Sequence, residues 1–261
     1  MKERSSIQVT LHVWYALFMR EAMARMSGDR FGWTWMLLEP IAHIMIMIAV
    51  REFMGRIRFI PGADFIPYLI VGLMGFFVFR DAVTRSMSAI NANSGLFAYR
   101  QLHPVDTVIV RAALEGVLKT TVFLILVCGA AFIGMNIVPH NPMQVVAGWL
   151  TLWCLGFGLG LIFSIAVTLV QETEKIIRMM MFPLYFLSGV IIPVQLMPYS
   201  VQQVLIYNPV LHALESMRYG FFPSYRSVQG IELMYPLAVA LSLILLGLML
   251  QIRLKTKLMA R

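Results

Sequence analysis

The chain has 261 residues, of which 59% are apolar and only 13% are charged. Soluble globular proteins are usually about 45–50% apolar and about 25% charged, so these few charges could not cover a water-soluble monomer of this size. A mean hydropathy of +0.78 excludes a disordered chain. Basic residues scattered among long apolar runs exclude a nucleic-acid-binding domain, and two cysteines inside such runs exclude a disulfide framework. The composition therefore predicts an all-α, polytopic membrane protein.

The first predicted element is an N-terminal amphipathic helix within residues 1–30. Ile7, Leu11, Trp14 and Phe18 recur at helical spacing, with charged residues on other faces. The initial charges are not followed by an uninterrupted apolar core, so this stretch does not resemble a cleavable signal peptide. We expect a helix in the plane of the cytoplasmic membrane interface, which serves either as a plain anchor or to grip a partner.

Residues 31–261 are predicted to form one transmembrane domain of six helices. A spanning helix needs roughly 20 apolar residues, and six segments meet or approach that length. The fourth is the clearest, because it has no charged side chain, and Gly156-x-x-x-Gly160 inside it permits close approach of another helix. The predicted spans are residues 33–54, 65–90, 107–135, 145–170, 176–192 and 233–252.

The distribution of basic residues predicts the orientation. With both termini in the cytoplasm, fifteen of the 21 Lys and Arg residues lie on the cytoplasmic side, five lie outside, and Lys119 lies within a span. This excess follows the positive-inside rule and predicts cytoplasmic termini. The five outside are Arg51, Arg56, Arg58, Arg218 and Arg226.

Two stretches between the spans are not ordinary loops. The cytoplasmic segment 91–104 combines helix-stopping residues with an apolar and aromatic cluster, which either packs beneath the bundle or docks into a partner's groove. The outer segment 193–231 is divided by prolines into pieces too short to span the membrane but apolar enough to enter it. We expect two short re-entrant periplasmic helices there, with a plain periplasmic loop as the alternative.

The sequence contains no recognisable catalytic or metal-binding constellation. The histidines are never paired at the i, i+4 spacing of a helical zinc site, and there is no Gly-rich phosphate loop with a lysine. Two sets of charged residues within spans have an open role. Glu39 and His43 favour an intrahelical hydrogen bond, and Arg111, Glu115 and Lys119 favour ion pairs along one helix or the lining of a wet cavity.

Four residues are candidates for a substrate path. Arg51 and Arg218 would attract an anionic substrate if they face a central path, although Glu52 and Glu215 offer an ion-pair explanation. The aromatic rings of Trp35 and Tyr219 would stack on sugar rings if they line a pore, and pack in the interfacial belts otherwise.

Several motifs together resemble the membrane subunit of ABC transporters that export polysaccharide, most closely the capsular polysaccharide export permeases. The likeness covers essentially the whole chain. The motifs are Gly32-x-x-Trp35 followed by Leu37-Leu38-Glu39-Pro40, Asn91-x-Asn93-x-Gly95-Leu96-Phe97-x-Tyr99-Arg100, Pro104-x-Asp106-Thr107 with Arg111 and Glu115, and Asn208-Pro209-x-x-His212-x-x-Glu215-x-x-Arg218.

The resemblance implies a homodimer in the inner membrane that moves a lipid-linked, often acidic polymer and is paired with two separate ATPase subunits. ATP and magnesium would be bound by those subunits and not by this chain. Periplasmic co-polymerase or adaptor proteins and outer-membrane export proteins would be further partners. The coupling residues would be Asn93, Gly95, Leu96, Phe97, Tyr99 and Arg100, and the periplasmic gate would include Pro193, Asn208, Pro209, His212 and Glu215.

Other functions remain open from the sequence. An O-antigen exporter permease shares the architecture, and a drug or small-lipid exporter would need a narrower path. An intramembrane lipid-linked transferase would need clustered carboxylates or a histidine near the bilayer surface, for which Glu39 and His43 are the only candidates. A purely structural scaffold would not need ionisable residues inside its spans.

Overall fold

The computed structural model describes residues 6–27, 32–54, 60, 62–99 and 101–259, and within them the regular structure is entirely helical. The all-α prediction is therefore confirmed. Two 3₁₀ turns occupy Ser94–Ala98 and Val194–Leu196. The helices are α1 (Ser6–Ser27), α2 (Gly32–Met54), α3 (Phe65–Ser86), α4 (Ala89–Ala92), α5 (Pro104–Phe132), α6 (Pro142–Leu169), α7 (Thr173–Leu187), α8 (Tyr199–Leu205), α9 (Pro209–Phe221), α10 (Met234–Arg253) and α11 (Lys255–Met259).

Four helices, α3, α5, α6 and α10, are long and apolar enough to cross a membrane. The first predicted span corresponds to α2, whose apolar part covers only Thr34–Val50. The fifth corresponds to α7, which has 15 residues and is about 22 Å long at 1.5 Å per residue. The α7 helix ends earlier than predicted because Gly189 adopts a left-handed φ of 65°. Length and composition therefore support four of the six predicted spans.

Three helices begin with the same combination of a polar residue followed by proline. Asn141 precedes Pro142 in α6, where its side chain accepts a hydrogen bond from the Gln144 N–H. Asn208 and Pro209 begin α9 in the same way, and His103 and Pro104 stand at the start of α5. Proline suits the first helical position because its missing N–H would have no intrahelical partner there. The polar residue and the proline therefore determine where each of these helices begins.

The helix α3 forms the centre of the bundle. Almost its whole length is buried, including the aromatic rings of Tyr68, Phe76, Phe77 and Phe79. It packs against α5, α6 and α9, and α10 lies on another side of α6. A helix that is apolar on every side is typical of the core of a bundle, and α3 follows that rule.

The contact between α3 and α6 depends on glycine. A Cβ added at Gly156 would lie 2.6 Å from the backbone oxygen of Phe79, and one at Gly160 would lie 2.6 Å from the Ser86 Cβ. Both distances are too short for real side chains. The Gly156-x-x-x-Gly160 motif therefore serves helix packing, as the sequence predicted.

The helix α1 follows the first turns of α5. Its Trp14, Glu21 and Arg25 contact successively later positions of α5, namely Asp106, Arg111 and Glu115. The contacts advance by about 16 Å along α1 and about 13 Å along α5, so the two helices run roughly in the same direction. The position of α1 in the membrane interface, expected from the sequence, stays a prediction. Trp14 and Phe18 pack against the core, whereas Ile7 and Leu11 remain exposed.

Candidate functional site

The predicted coupling segment forms the short helix α4, a 3₁₀ turn and a bend before α5. Phe97 is buried in a core cluster with Leu17, Val108 and Leu161, so it packs beneath the bundle. Tyr99, in contrast, is 69% exposed. The ring of Phe97 thus packs beneath the bundle, which was one of the two alternatives, while docking of the segment into a partner's groove stays a prediction for which Tyr99 is accessible. Gly95 is exposed and Leu96 is half-buried, while Arg100 lies outside the described residues.

Asn93 connects the coupling segment to α1. It is buried, and its amide group donates to the Ala89 carbonyl at 2.8 Å and to Glu21 Oε1 at 3.2 Å. The Asn93 side-chain oxygen accepts a hydrogen bond from Arg20. Arg111 of α5 donates to both oxygens of Glu21 at 2.9 Å. Asn93, Glu21 and Arg111 thus join the segment, α1 and α5 in one network.

Electrostatics hold Glu21 in its charged form. Burial opposes ionisation, but Arg111, Asn93 and Arg20 outweigh it and lower the pKa of Glu21 below its usual value. The carboxylate is therefore ionised at neutral pH, as the hydrogen bonds to it require.

The charged residues of α5 do not pair with one another. Glu115 binds Arg25 of α1 at 2.6 Å, Arg111 binds Glu21, and Lys119 binds Asp81 of α3 at 2.6 Å. The expected ion pairs along one helix are therefore wrong. Pairs at i, i+4 on a helix surface contribute little, whereas buried charges need close partners, and these partners come from other helices.

A second charge network joins α2, α3 and α5. Arg80 donates to Asp81 at 2.6 Å and to Glu39 at 2.7 Å, and Lys119 binds the other oxygen of Asp81. The two cations and two carboxylates balance. Arg80 also lies 4.1 Å from the centre of the Phe77 ring, a cation–π distance.

Glu39 and His43 do not share the predicted intrahelical hydrogen bond. Glu39 pairs with Arg80, and His43 Nε2 lies 2.8 Å from the Tyr185 hydroxyl of α7. That prediction is wrong because both side chains reach across to neighbouring helices. The contact between His43 and Tyr185 instead connects α2 to α7.

The residues of the Asn208 motif hold α9 in place. The Asn208 side chain accepts from the Val210 N–H at 3.0 Å and donates to Ser188 Oγ at 3.0 Å. His212 Nε2 lies 2.7 Å from the Ile206 carbonyl, and Nδ1 accepts from the Glu232 N–H at 3.1 Å. The motif therefore connects α9 to the end of α7, to the turn after α8 and to the chain before α10.

Arg218 and Glu215 complete this framework in the protein interior. Both side chains are fully buried, and they form an ion pair at 2.6 Å. The guanidinium also donates to the carbonyls of Gly189 at 2.8 Å and Val190 at 2.9 Å. The Arg218 guanidinium stacks 3.7 Å from the centre of the Tyr68 ring.

A hydroxyl completes the environment of Glu215. Tyr225 donates to Glu215 Oε2 at 2.8 Å, so both oxygens of the carboxylate have partners. Burial and the neighbouring carboxylate raise the pKa of Tyr225, which keeps its hydroxyl protonated as a donor. The ion pair that the sequence offered as one explanation for Arg218 is thus present.

The predicted substrate-path residues lie in different surroundings. Trp35 is 59% exposed and lines a cavity with charged residues of α3 and α5. Tyr219 is half-buried, and its hydroxyl accepts from the Ser227 N–H at 3.0 Å. Arg218 is enclosed by the contacts above, and the side chain of Arg51 lies outside the described residues. These four residues remain predictions, as does Pro193, which is buried and precedes a 3₁₀ turn.

Sequence reasoning missed the part that α1 takes in the network of Glu21 and in the ion pair between Arg25 and Glu115. Glu21 and Arg25 carry no spacing that points to α5, because their partners lie 90 residues further along the chain. A signal was available for Arg80 and Asp81, because adjacent opposite charges at the end of an apolar run require buried partners.

Comparison with known proteins identifies a family and several relatives of this chain. The model of the ABC-2 type transporter family matches residues 12–222. The chain is 34% identical to the polysialic acid transport protein KpsM of Escherichia coli over 94% of both chains. It is 27% identical to the capsule polysaccharide export inner-membrane protein CtrC of Neisseria meningitidis serogroup A, over 93% of this chain and 91% of that protein. It is 26% identical to the capsule polysaccharide export inner-membrane protein BexB of Haemophilus influenzae, over 94% of this chain and 92% of that protein.

Proposed function

Because the chain belongs to the ABC-2 type transporter family of membrane proteins, we propose that it is the membrane subunit of an exporter of capsular polysaccharide. The observation that carries this proposal is the match over nearly the full length of both chains to proteins that are named for this transport. The chain is accordingly a multi-pass inner-membrane permease, as the motif resemblance predicted.

The energy comes from a separate ATPase subunit. Tyr99 is exposed at the end of a segment whose other aromatic ring, Phe97, is anchored in the core. An exposed ring on an anchored segment suits insertion into a groove of another protein, because the contact can transmit force without pulling the segment away. ATP and magnesium bind to that partner, and two such subunits serve a homodimer of this chain.

Movement of the coupling segment passes into the membrane through Asn93. Its hydrogen bonds to Glu21 connect the segment to α1, and Arg111 connects the same carboxylate to α5. A push on the segment thus acts on two helices together, and the polymer advances in steps as the central path opens or narrows.

At the other side of the membrane, α8 and α9 form a periplasmic gate. Each helix is too short to span the bilayer. The helix α9 is held by hydrogen bonds of Asn208 and His212 and by the buried hydrogen bonds of Glu215 and Arg218. Irregular backbone at membrane depth needs such internal partners. In this arrangement α2 and α7 complete six spans, α8 and α9 are re-entrant, and both termini are cytoplasmic.

The cargo is a lipid-linked, acidic polymer, which passes to adaptor and outer-membrane export proteins. Polysialic acid, named for one relative, is an acidic polysaccharide. Trp35, Tyr219, Arg51 and Arg218 are the candidates for contact with it. Among the three whose side chains the structure describes, Trp35 is the most accessible in the protomer.

The function can be tested by complementation. The chain is expressed with its ATPase in a capsulated strain that lacks its own permease, and surface polymer is measured. We expect surface capsule to return with the parent chain and polymer to accumulate inside cells with Tyr99→Glu. The matched control is Tyr15→Glu, which changes an exposed tyrosine of α1, outside the coupling segment. This variant should retain export.

Two results would contradict the proposal. If capsule does not return while an O-antigen is exported in a matched strain, the cargo class is wrong. If Tyr99→Glu supports normal export and still copurifies with the ATPase, the coupling assignment is wrong.

A further inference from the structure

A small charged cavity lies between α1, α2, α3 and α5. Its volume is about 310 Å³, which is larger than the space that one water molecule needs and is enough for a small polar group. Charges of both signs line it, and they are Arg25, Arg85, Lys119, Glu39, Asp81 and Glu115. With three cations and three carboxylates, this lining is suited neither to a simple anion nor to a simple cation.

Glu115 is incompletely satisfied in this cavity. Its side chain is 2% exposed, and Oε1 binds Arg25 at 2.6 Å. The other oxygen, Oε2, is buried and has no hydrogen-bond partner among the described residues. An ionised carboxylate oxygen without a donor is costly to bury, so the site is suited to a ligand that carries N–H groups.

Arg85 offers the opposite charge at the same cavity. It is exposed, and no carboxylate of the described residues lies within ion-pair distance of it. An arginine in this position is suited to a phosphate group. The exposed indole of Trp35 also lines the cavity, and tryptophan is typical of the headgroup region of membranes.

The length of α5 places the cavity near the membrane surface. The helix has 29 residues, of which about 20 are needed to cross the hydrocarbon core. The charged positions lie between its third and sixteenth residues, so the end that extends by about nine residues into the headgroup region is the N-terminal one. Glu115 is then close to the boundary where lipid headgroups lie.

We propose that this cavity binds the headgroup of a zwitterionic phospholipid with a primary ammonium, namely phosphatidylethanolamine. The ammonium donates to Glu115 Oε2, and the phosphate binds Arg85 near Trp35. The lipid would fill the space between α1 and the spanning helices. This site is separate from the coupling contact at Tyr99, and it shares only Trp35 with the candidates for polymer contact.

The experiment compares lipids that differ at one chemical group. The purified full-length chain in detergent is titrated with palmitoyl-oleoyl phosphatidylethanolamine, phosphatidylcholine or phosphatidylglycerol, and bound lipid is counted by native mass spectrometry. Phosphatidylcholine keeps the phosphate but has no N–H donor, and phosphatidylglycerol has no cation. We expect phosphatidylethanolamine to bind about tenfold more tightly than phosphatidylcholine, the value of one charge-assisted hydrogen bond.

Variants identify the two ends of the site. Glu115→Gln keeps an oxygen for Arg25 but removes the charge, and it should abolish the preference for phosphatidylethanolamine over phosphatidylcholine. The control Glu174→Gln changes an exposed carboxylate in an ion pair with Arg178 and should keep the preference. Arg85→Gln should weaken both lipids by a similar factor, and it remains informative if Glu115→Gln does not fold.

Several outcomes would overturn the proposal. Equal binding of phosphatidylethanolamine and phosphatidylcholine to the parent chain would show that the ammonium group is not recognised. Tightest binding of phosphatidylglycerol would make this a site for anionic lipids. Unchanged lipid binding by the Arg85→Gln variant would show that Arg85 does not bind the phosphate. Displacement of the lipid by free phosphoethanolamine at equal concentration would show that the site takes a soluble ligand.

Discussion

Replacing Arg218 tests whether this residue holds the outer segment together or serves transport directly. The guanidinium donates to Glu215 and to the carbonyls of Gly189 and Val190, at 2.6 to 2.9 Å. In Arg218→Met these three buried acceptors lose their donor, and one of them is a charged carboxylate. Removing one partner of a buried ion pair typically costs about 3–5 kcal/mol. We therefore expect the free energy of unfolding to fall by about that amount.

The assay is chemical unfolding of the purified chain in mixed micelles, followed by tryptophan fluorescence. Adding Glu215→Leu to Arg218→Met should recover part of the loss, because the uncompensated charge is then removed. Arg178→Met is the matched control, since its ion pair with Glu174 is largely exposed and should contribute less than about 1 kcal/mol. A loss below about 1 kcal/mol in Arg218→Met would refute the structural role. Unchanged stability with lost export would support the substrate-path prediction.

Four substitutions test other parts of the structure. Phe97→Asp should lower the unfolding midpoint, because the ring is buried, whereas Tyr99→Glu should leave the midpoint unchanged and reduce copurification of the ATPase. Because the folded pKa of Glu21 is depressed, its contribution is complete above the unfolded pKa of about 4.3 and is lost as the pH falls through the lower folded value. Protease cleavage of the parent chain after α1 should therefore be faster at acidic pH than at neutral pH. The Glu21→Gln variant should be cleaved at the same rate at acidic and at neutral pH. Gly156→Leu should cost about 1–3 kcal/mol or prevent folding, measured by the same unfolding assay, because a side chain there meets the backbone of α3; normal stability would contradict the close packing.

The sequence predicts features that depend on neighbouring residues. Helical character and the close helix approach at the glycines of α6 follow from local signals, and the structure confirms both. The end of α7 was predicted too late, because the left-handed backbone at Gly189 cannot be inferred from an apolar run that continues past it.

Ion-pair partners were harder to predict than helices. Spacing along α5 suggested that Glu115 would neutralise its own neighbours, but its partner Arg25 comes from a helix 90 residues earlier. Several arrangements of the same charges satisfy a sequence equally well, and only the packing of α1 beside α5 decides among them. The candidate site is therefore visible from sequence as a set of motifs, while its networks require the fold.

The ladder of contacts from Trp14, Glu21 and Arg25 to α5 has a practical consequence for observing transport. Since three successive levels fasten the two helices, α1 must accompany α5 whenever α5 shifts or tilts. A spectroscopic label on the exposed side of α1, for example at Ile7 or Tyr15, would then report the motion of the spanning helix α5 without a substitution in α5 itself. The N-terminal helix would therefore allow conformational changes inside the bundle to be followed from its surface.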